Sequence, residues 1–171
     1  MAAGNFEQCL ALVLREEGGY VNDPRDPGGR TNHGVTQAVW EAFIGKEVTE
    51  ADMQNLTVQD VGPLYRAQYW DKIRGDELPD GVDYAVFDFA VNSGVGRAAK
   101  ALQAIVGVTV DGQIGQHTID ACEAANARDV ATQVCEKRMD FLQGLPTWDA
   151  FGKGWSGRVS RVETIAFQMV G

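Results

Sequence analysis

Three residues that could share acid chemistry lie close together near the start of the chain: Glu17, Asp26 nine residues later, and Thr31 fourteen residues later. Cleaving a glycosidic bond generally needs one acid to protonate the leaving oxygen. It also needs a second group to stabilise positive charge at the sugar carbon or to direct water there. A carboxyl at a helix end, facing a second acid on a loop, would supply both. Each residue also has a plainer reading. Glu17 could cap a neighbouring helix or pair with an arginine. Asp26 precedes Pro27, where Asp is common in turns. Thr31 could hold a water or merely end a strand.

The element that must position Glu17 is legible in the residues before it. Phe6, Cys9, Leu10, Val13 and Leu14 recur at the spacing of one face of a helix. Glu17 falls next on that stripe, roughly 20° from Phe6 around the axis. Glu16 falls off the stripe and is expected in water. Gly18-Gly19 then stops the helix. A carboxyl on the apolar face of a last turn is partly desolvated, which favours its protonated form. That is the property a general acid needs.

The stretch from Val21 to Thr36 follows, with two Asp-Pro steps and a Gly pair. These are turn signals. Gly29 to Val35 is expected to form short strands or a tight irregular loop. A connection this long in a compact domain is usually functional. Tyr20 is placed to pack over Glu17. Gly28 and Gly29 either let the backbone approach a ligand or simply make the turn. His33 either lines a cleft or is exposed.

Helical signals dominate the rest. Thr36 can cap a helix through Phe43. Thr49 with Asp52, and Thr57 with Asp60, resemble capping boxes with Asp in place of Glu. Pro63 is tolerable in the helix opened by Thr57 if it sits in a first turn. Residues 81–94, GVDYAVFDFAVNSG, are apolar on every side except for Asp83, Asp88 and Asn92, the pattern of a buried central helix. Asp88 and Asn92 are four apart, so both lie on one face, pointing to a cleft or capping another helix. Amphipathic patterns continue to the end of the chain. Trp148 and Trp155 are candidates to stack on sugars or to fill core.

The chain has 171 residues, 44% hydrophobic and 23% charged, and a net charge of −9. That suits one globular domain, in one or two lobes. The acidic balance argues against nucleic acid as a partner and gives no electrostatic help toward any other polyanion. No apolar run is long enough for a membrane span. The N-terminus MAAGNFEQCL lacks signal-peptide character, so synthesis in a cytoplasm is expected. Cys9, Cys122 and Cys135 lack metal spacing and read as small buried residues. With His33 and His117 the only histidines, a zinc site is not expected.

The stretch EGGYVNDPRDPGGRTNHGVT (17–36) resembles the signature of glycoside hydrolase family 108, the N-acetylmuramidase lysozymes of phages and bacteria. Further matches follow in order: LYRAQYW (64–70), FDFAVNSG (87–94), LQAIVGVTVDGQIGQHTIDA (102–121) and FGKGWSGRV (151–159). The last two lie in what resembles the family's C-terminal predicted peptidoglycan-binding region, although Gln116 stands where a related form has Pro. The resemblance thus spans nearly the whole chain. It implies a mainly α, lysozyme-like α+β fold: a small β-hairpin after the first helix, a groove, and a C-terminal helical lobe. It implies a catalytic region over 1–94 and a helical wall-binding region over 95–171.

In that family the Glu of EGGY, here Glu17, is described as essential. The resemblance therefore implies cleavage of the β-1,4 bond between N-acetylmuramic acid and N-acetylglucosamine, with Glu17 as general acid. Asp26 and Thr31 are the candidates for the second role, by analogy with the Glu–Asp–Thr order of other phage lysozymes. Tyr20, Gly28, Gly29, His33 and Asn92 are the candidate substrate contacts. No metal or organic cofactor is implied. The expected partner is the peptidoglycan glycan strand, reached after holin-dependent release of a phage endolysin, so that the enzyme acts on the cell wall or in the periplasm. The alternatives are a lytic transglycosylase on the same bond, a secretion-system cell-wall effector, and a non-catalytic peptidoglycan-binding protein.

Overall fold

The computed structural model describes residues 4–25 and 29–171. The chain divides into two compact units, Glu7–Ala67 and Met1–Phe6 together with Gln68–Gly171.

The smaller unit begins with α1 (Phe6–Glu17) and continues through β1 (Val21–Asn22), β2 (Arg30–Asn32) and β3 (Val35–Thr36). It then forms α2 (Gln37–Ile44), α3 (Glu50–Gln54) and α4 (Val58–Tyr65). α1 follows its stripe: Phe6, Cys9, Leu10, Val13 and Leu14 are all buried. Burying each large aliphatic or aromatic side chain contributes about 1.5–3 kcal/mol. The helix stops at Gly18, whose backbone is left-handed at φ +81. The Gly18 N–H donates to the Leu14 carbonyl at 3.3 Å.

The expected β-hairpin is there, extended by one strand into a three-stranded antiparallel sheet of order β1-β2-β3. Val21 faces Thr31 and Asn22 faces Arg30. Thr31 in turn faces Thr36, and Asn32 faces Val35. Alternation puts Val21, Thr31 and Thr36 in one row, and Asn32 with Val35 on the opposite face. The second face is the covered one, since Asn32 and Val35 are buried.

The helix starts obey local capping. Thr36 accepts from the Val39 N–H, and Thr49 and Thr57 form reciprocal boxes with Asp52 and Asp60. Pro63 departs from expectation. It lies in the second turn of α4, where it lacks an N–H for the Gln59 carbonyl. α4 ends two residues later, and Arg66–Trp70 follow as a wider π-helical turn.

The larger unit holds α5 (Val82–Ser93), α6 (Val95–Val106), α7 (Gln116–Ala124), α8 (Ala127–Gln143) and α9 (Trp148–Met169). α5 is the buried centre that the sequence predicts, with residues 82–90 all buried, and α6, α8 and α9 pack against it. Phe6, Trp70 and Phe87 meet edge to face, with Trp70 centred 5.4 Å from Phe6 and 5.1 Å from Phe87. No helix among the described residues is long and apolar enough to cross a membrane.

The two acidic residues of α5 are buried in this core, and Asn92 reaches its edge. Asp88 has no exposed surface. Its carboxylate accepts from Arg138 Nη1 at 2.6 Å and from Arg158 Nε and Nη2, each at 3.0 Å. Asn92 Oδ1 accepts from Arg138 Nη2 at 3.1 Å. Asp83, at the start of α5, accepts from the Gly81 and Tyr84 N–H groups and from Asn5 Nδ2. Burial pushes its pKa up to about 6 despite those bonds, and the neighbouring Asp80 charge adds to the rise. Cys122 and Cys135 are buried thiols pushed up to about 12 by desolvation. They are packing residues and poor nucleophiles.

Candidate active site around Glu17

Glu17 is the last residue of α1 and is half-buried. Glu16, expected in water, is half-buried as well, so burial alone does not separate the two. What distinguishes Glu17 is the turn lying against it. A Cβ placed on Gly34 would come within 3.0 Å of both Glu17 Cβ and Oε2, and within 2.6 Å of the Tyr65 hydroxyl. Only a residue without a side chain lets the β2–β3 turn close onto this carboxyl.

That turn is held from several directions. His33 and Gly34 are its two central residues, at φ 50 and φ 76. Both are left-handed, as a two-residue type I′ hairpin requires. A non-glycine residue pays a strain there, though His tolerates it better than most. The His33 ring offsets the strain by bonding the Leu56 carbonyl through Nε2 at 3.1 Å. A carbonyl only accepts, so Nε2 carries the proton. The His33 carbonyl in turn accepts from the Tyr65 hydroxyl at 2.7 Å. Tyr65 is itself buried on α4. One residue before the turn, Asn32 is buried and donates from Nδ2 to the carbonyls of Met53 at 2.8 Å and Gln54 at 3.3 Å. β2 is thereby tied to the end of α3.

A second polar group borders the sheet. The Tyr20 hydroxyl donates to Glu50 Oε1 at 3.1 Å. Arg30 Nη2 lies 3.6 Å from Glu50 Oε2, and Arg30 Nη1 donates to Gln37 Oε1. Desolvation, then the Glu50 carboxylate, raise the Tyr20 pKa above the ordinary tyrosine value. The phenol therefore stays protonated and can keep donating.

Of the residues singled out in the sequence, Glu17, Tyr20, Gly29, Thr31 and His33 fall in the smaller unit. Thr31 is half-buried, in the row with Val21 and Thr36. Gly29 is left-handed at φ +68, with open space where a Cβ would point. Asp26 and Gly28 lie outside the described residues. Asn92 belongs to the larger unit, on Arg138. Sequence reasoning missed Gly34, Tyr65, Asn32 and Arg30. The His-Gly pair between Asn32 and Val35 was the available hairpin signal for Gly34. The other three act through partners at least seven positions away, which no local pattern reveals.

The family model Glycosyl hydrolase 108 matches residues 10–94. That span contains Glu17, the sheet, Tyr65 and α5. Among solved structures, "Structure of Brucella abortus SagA" superposes with a TM-score of 0.85 at 44% sequence identity, covering 98% of this chain and 96% of that one. The chain belongs to glycosyl hydrolase family 108. No curated protein matches it. As a family 108 member it is a glycoside hydrolase, of the kind that degrades peptidoglycan. Its fold is mainly α and lysozyme-like, as the sequence resemblance implies.

Proposed function

We propose that this family 108 enzyme is an N-acetylmuramidase that hydrolyses the β-1,4 bond between N-acetylmuramic acid and N-acetylglucosamine, with Glu17 as general acid. The observation that carries the reading is the approach of Gly34 to the Glu17 carboxyl, with the Tyr65 hydroxyl beside the same point. A turn tied down through His33, Asn32 and Tyr65 favours a fixed carboxyl, and fixed geometry is what proton transfer to a leaving oxygen requires. Asp26, together with Thr31, stabilises the sugar cation or directs water in this reading. Tyr20, Gly28, Gly29 and His33 contact the glycan in this reading, and Asn92 is a separate substrate contact in the larger unit. Residues 1–94 carry the chemistry and 95–171 bind the wall. Delivery as a holin-released phage endolysin belongs to the same proposal.

Mass spectrometry of the muropeptides released from purified peptidoglycan tests the reaction. Hydrolysis leaves reducing N-acetylmuramic acid ends with one added water. Anhydro-sugar ends would instead make the protein a lytic transglycosylase, and N-acetylglucosamine at the new reducing ends would mean that the other glycosidic bond is cut.

A further inference from the structure

A cavity of about 280 Å³ opens in the larger unit where the end of α5 and the start of α6 meet the end of α8 and α9. It is smaller than the usual range for drug-sized ligands, so it suits one side chain or a short acyl segment, not a disaccharide. Leu142, Leu145, Phe141 and Trp155 supply its apolar wall, and Asn92, Ser93 and Arg97 its polar one. No acidic side chain lines it, although the protein carries a net charge of −9.

Two of the three polar wall residues, Asn92 and Arg97, present donors. Guanidinium groups only donate, so the bond from Arg138 fixes the Asn92 oxygen toward the core. The Ser93 hydroxyl donates to that same oxygen at 3.3 Å. The Asn92 amide is thus prevented from flipping, and its NH2 remains as an oriented donor with no bond to the described residues. Arg97 stacks its guanidinium 4.0 Å from the centre of the Phe141 ring and donates one N–H to the Ser93 carbonyl at 3.0 Å. It has no carboxylate partner among the described residues. An uncompensated cation, a fixed amide donor and an aliphatic-aromatic wall together complement a carboxylate on a short alkyl chain.

We propose that this cavity binds a carboxylate of the peptide stem of peptidoglycan, with Arg97 as counter-ion and Asn92 Nδ2 as the orienting donor. The inference rests on the wall being the substrate. Within that polymer the sugars of a stem-bearing strand present hydroxyls and acetamido groups, whereas the free carboxylates are on the peptides. The site therefore reads the stem while the reaction occurs on the glycan.

The test is titration of the 15N-labelled full chain with N-acetylmuramyl-L-alanyl-D-isoglutamine, followed at the Trp155 indole N–H, with N-acetylglucosamine as the carboxylate-free control. The dipeptide is expected to shift the signal saturably and the sugar to leave it in place. Arg97→Ala is expected to weaken binding about tenfold or more, the loss of one charge-assisted contact. Arg97→Lys, which keeps the charge, should recover most of it. An equal response to the sugar, unchanged binding by Arg97→Ala, or no saturable shift in the wild type would overturn the proposal. Glu17→Gln should bind the dipeptide as the wild type does. If that variant still lyses walls while the dipeptide binds, the catalytic reading fails and the stem site stands.

Discussion

At the scale of single residues, polar side chains in this protein are placed by partners far along the chain. Asn32 reaches 21 residues to Met53, Tyr65 reaches 32 residues back to His33, and Asp88 holds arginines 50 and 70 residues away. Periodicity shows that Asp88 and Asn92 share one face of a buried helix, but the sequence leaves open what they meet. The answer is an internal ion cluster, because a buried carboxylate must be neutralised where it lies. Asp83 links the stability of the larger unit to pH. Its folded pKa of about 6 lies above the ordinary aspartate value of 3.8, so the folded state binds the proton more tightly than the unfolded one. Stability from this group is present in full below about pH 4 and is lost as pH rises through about 6. The size is at most about 3 kcal/mol, from 1.36 kcal/mol per pKa unit. Thermal melts between pH 4 and pH 7 should show the wild type losing stability relative to Asp83→Asn as pH rises, and parallel curves would refute the assignment.

At the scale of elements, the helices were largely legible and the sheet only in outline. The α1 stripe, the glycine stop and the threonine caps are local chemistry, so Phe6–Glu17 and the starts of α2, α3 and α4 follow from short windows. The third strand, two residues long, is too short to leave a pattern. The π-helical turn after Pro63 is likewise invisible to a period-3.6 reading. The β2–β3 turn is the element on which the site depends. Gly34→Ala adds a Cβ at φ +76, within 2.6 Å of the Tyr65 hydroxyl and 3.0 Å of the Glu17 carboxyl. The left-handed strain alone is on the order of 1 kcal/mol, and the turn must also withdraw. Wall-lysis rate should therefore fall at least about tenfold, beyond what this loss of stability explains. Denaturant unfolding and turbidimetry on the same preparation separate the two effects. Full activity with normal stability would show that the turn has no part in placing Glu17.

At the scale of the whole molecule, the family match and the fold support each other while the site occupies only a small part of the chain. The larger unit is built round α5, and the Asp88–Arg138–Arg158 cluster joins α5, α8 and α9. Asp88→Asn leaves two buried guanidinium groups without their carboxylate. The expected loss is roughly 3–5 kcal/mol, or on the order of 10 °C in melting temperature for a chain of this size. Calorimetry showing a shift of under a degree or two would mean the cluster is not a stabilising centre. The fold class was readable because helical periods, caps and a motif series spanning most of the chain agreed. The second catalytic residue was not, because Asp26 and Thr31 are each as well explained by turn and strand chemistry.

In the proposed reaction one carboxyl, Glu17, delivers the proton. The most direct measurement compares wild type and Glu17→Gln for clearance of a peptidoglycan suspension, with melting curves recorded alongside. Removing a general acid should cost on the order of 10²–10⁴ in rate, while the melting temperature stays within about 2 °C, less than 1 kcal/mol for a chain of this size. Lysis by the variant at the wild-type rate, with folding intact, would contradict the account.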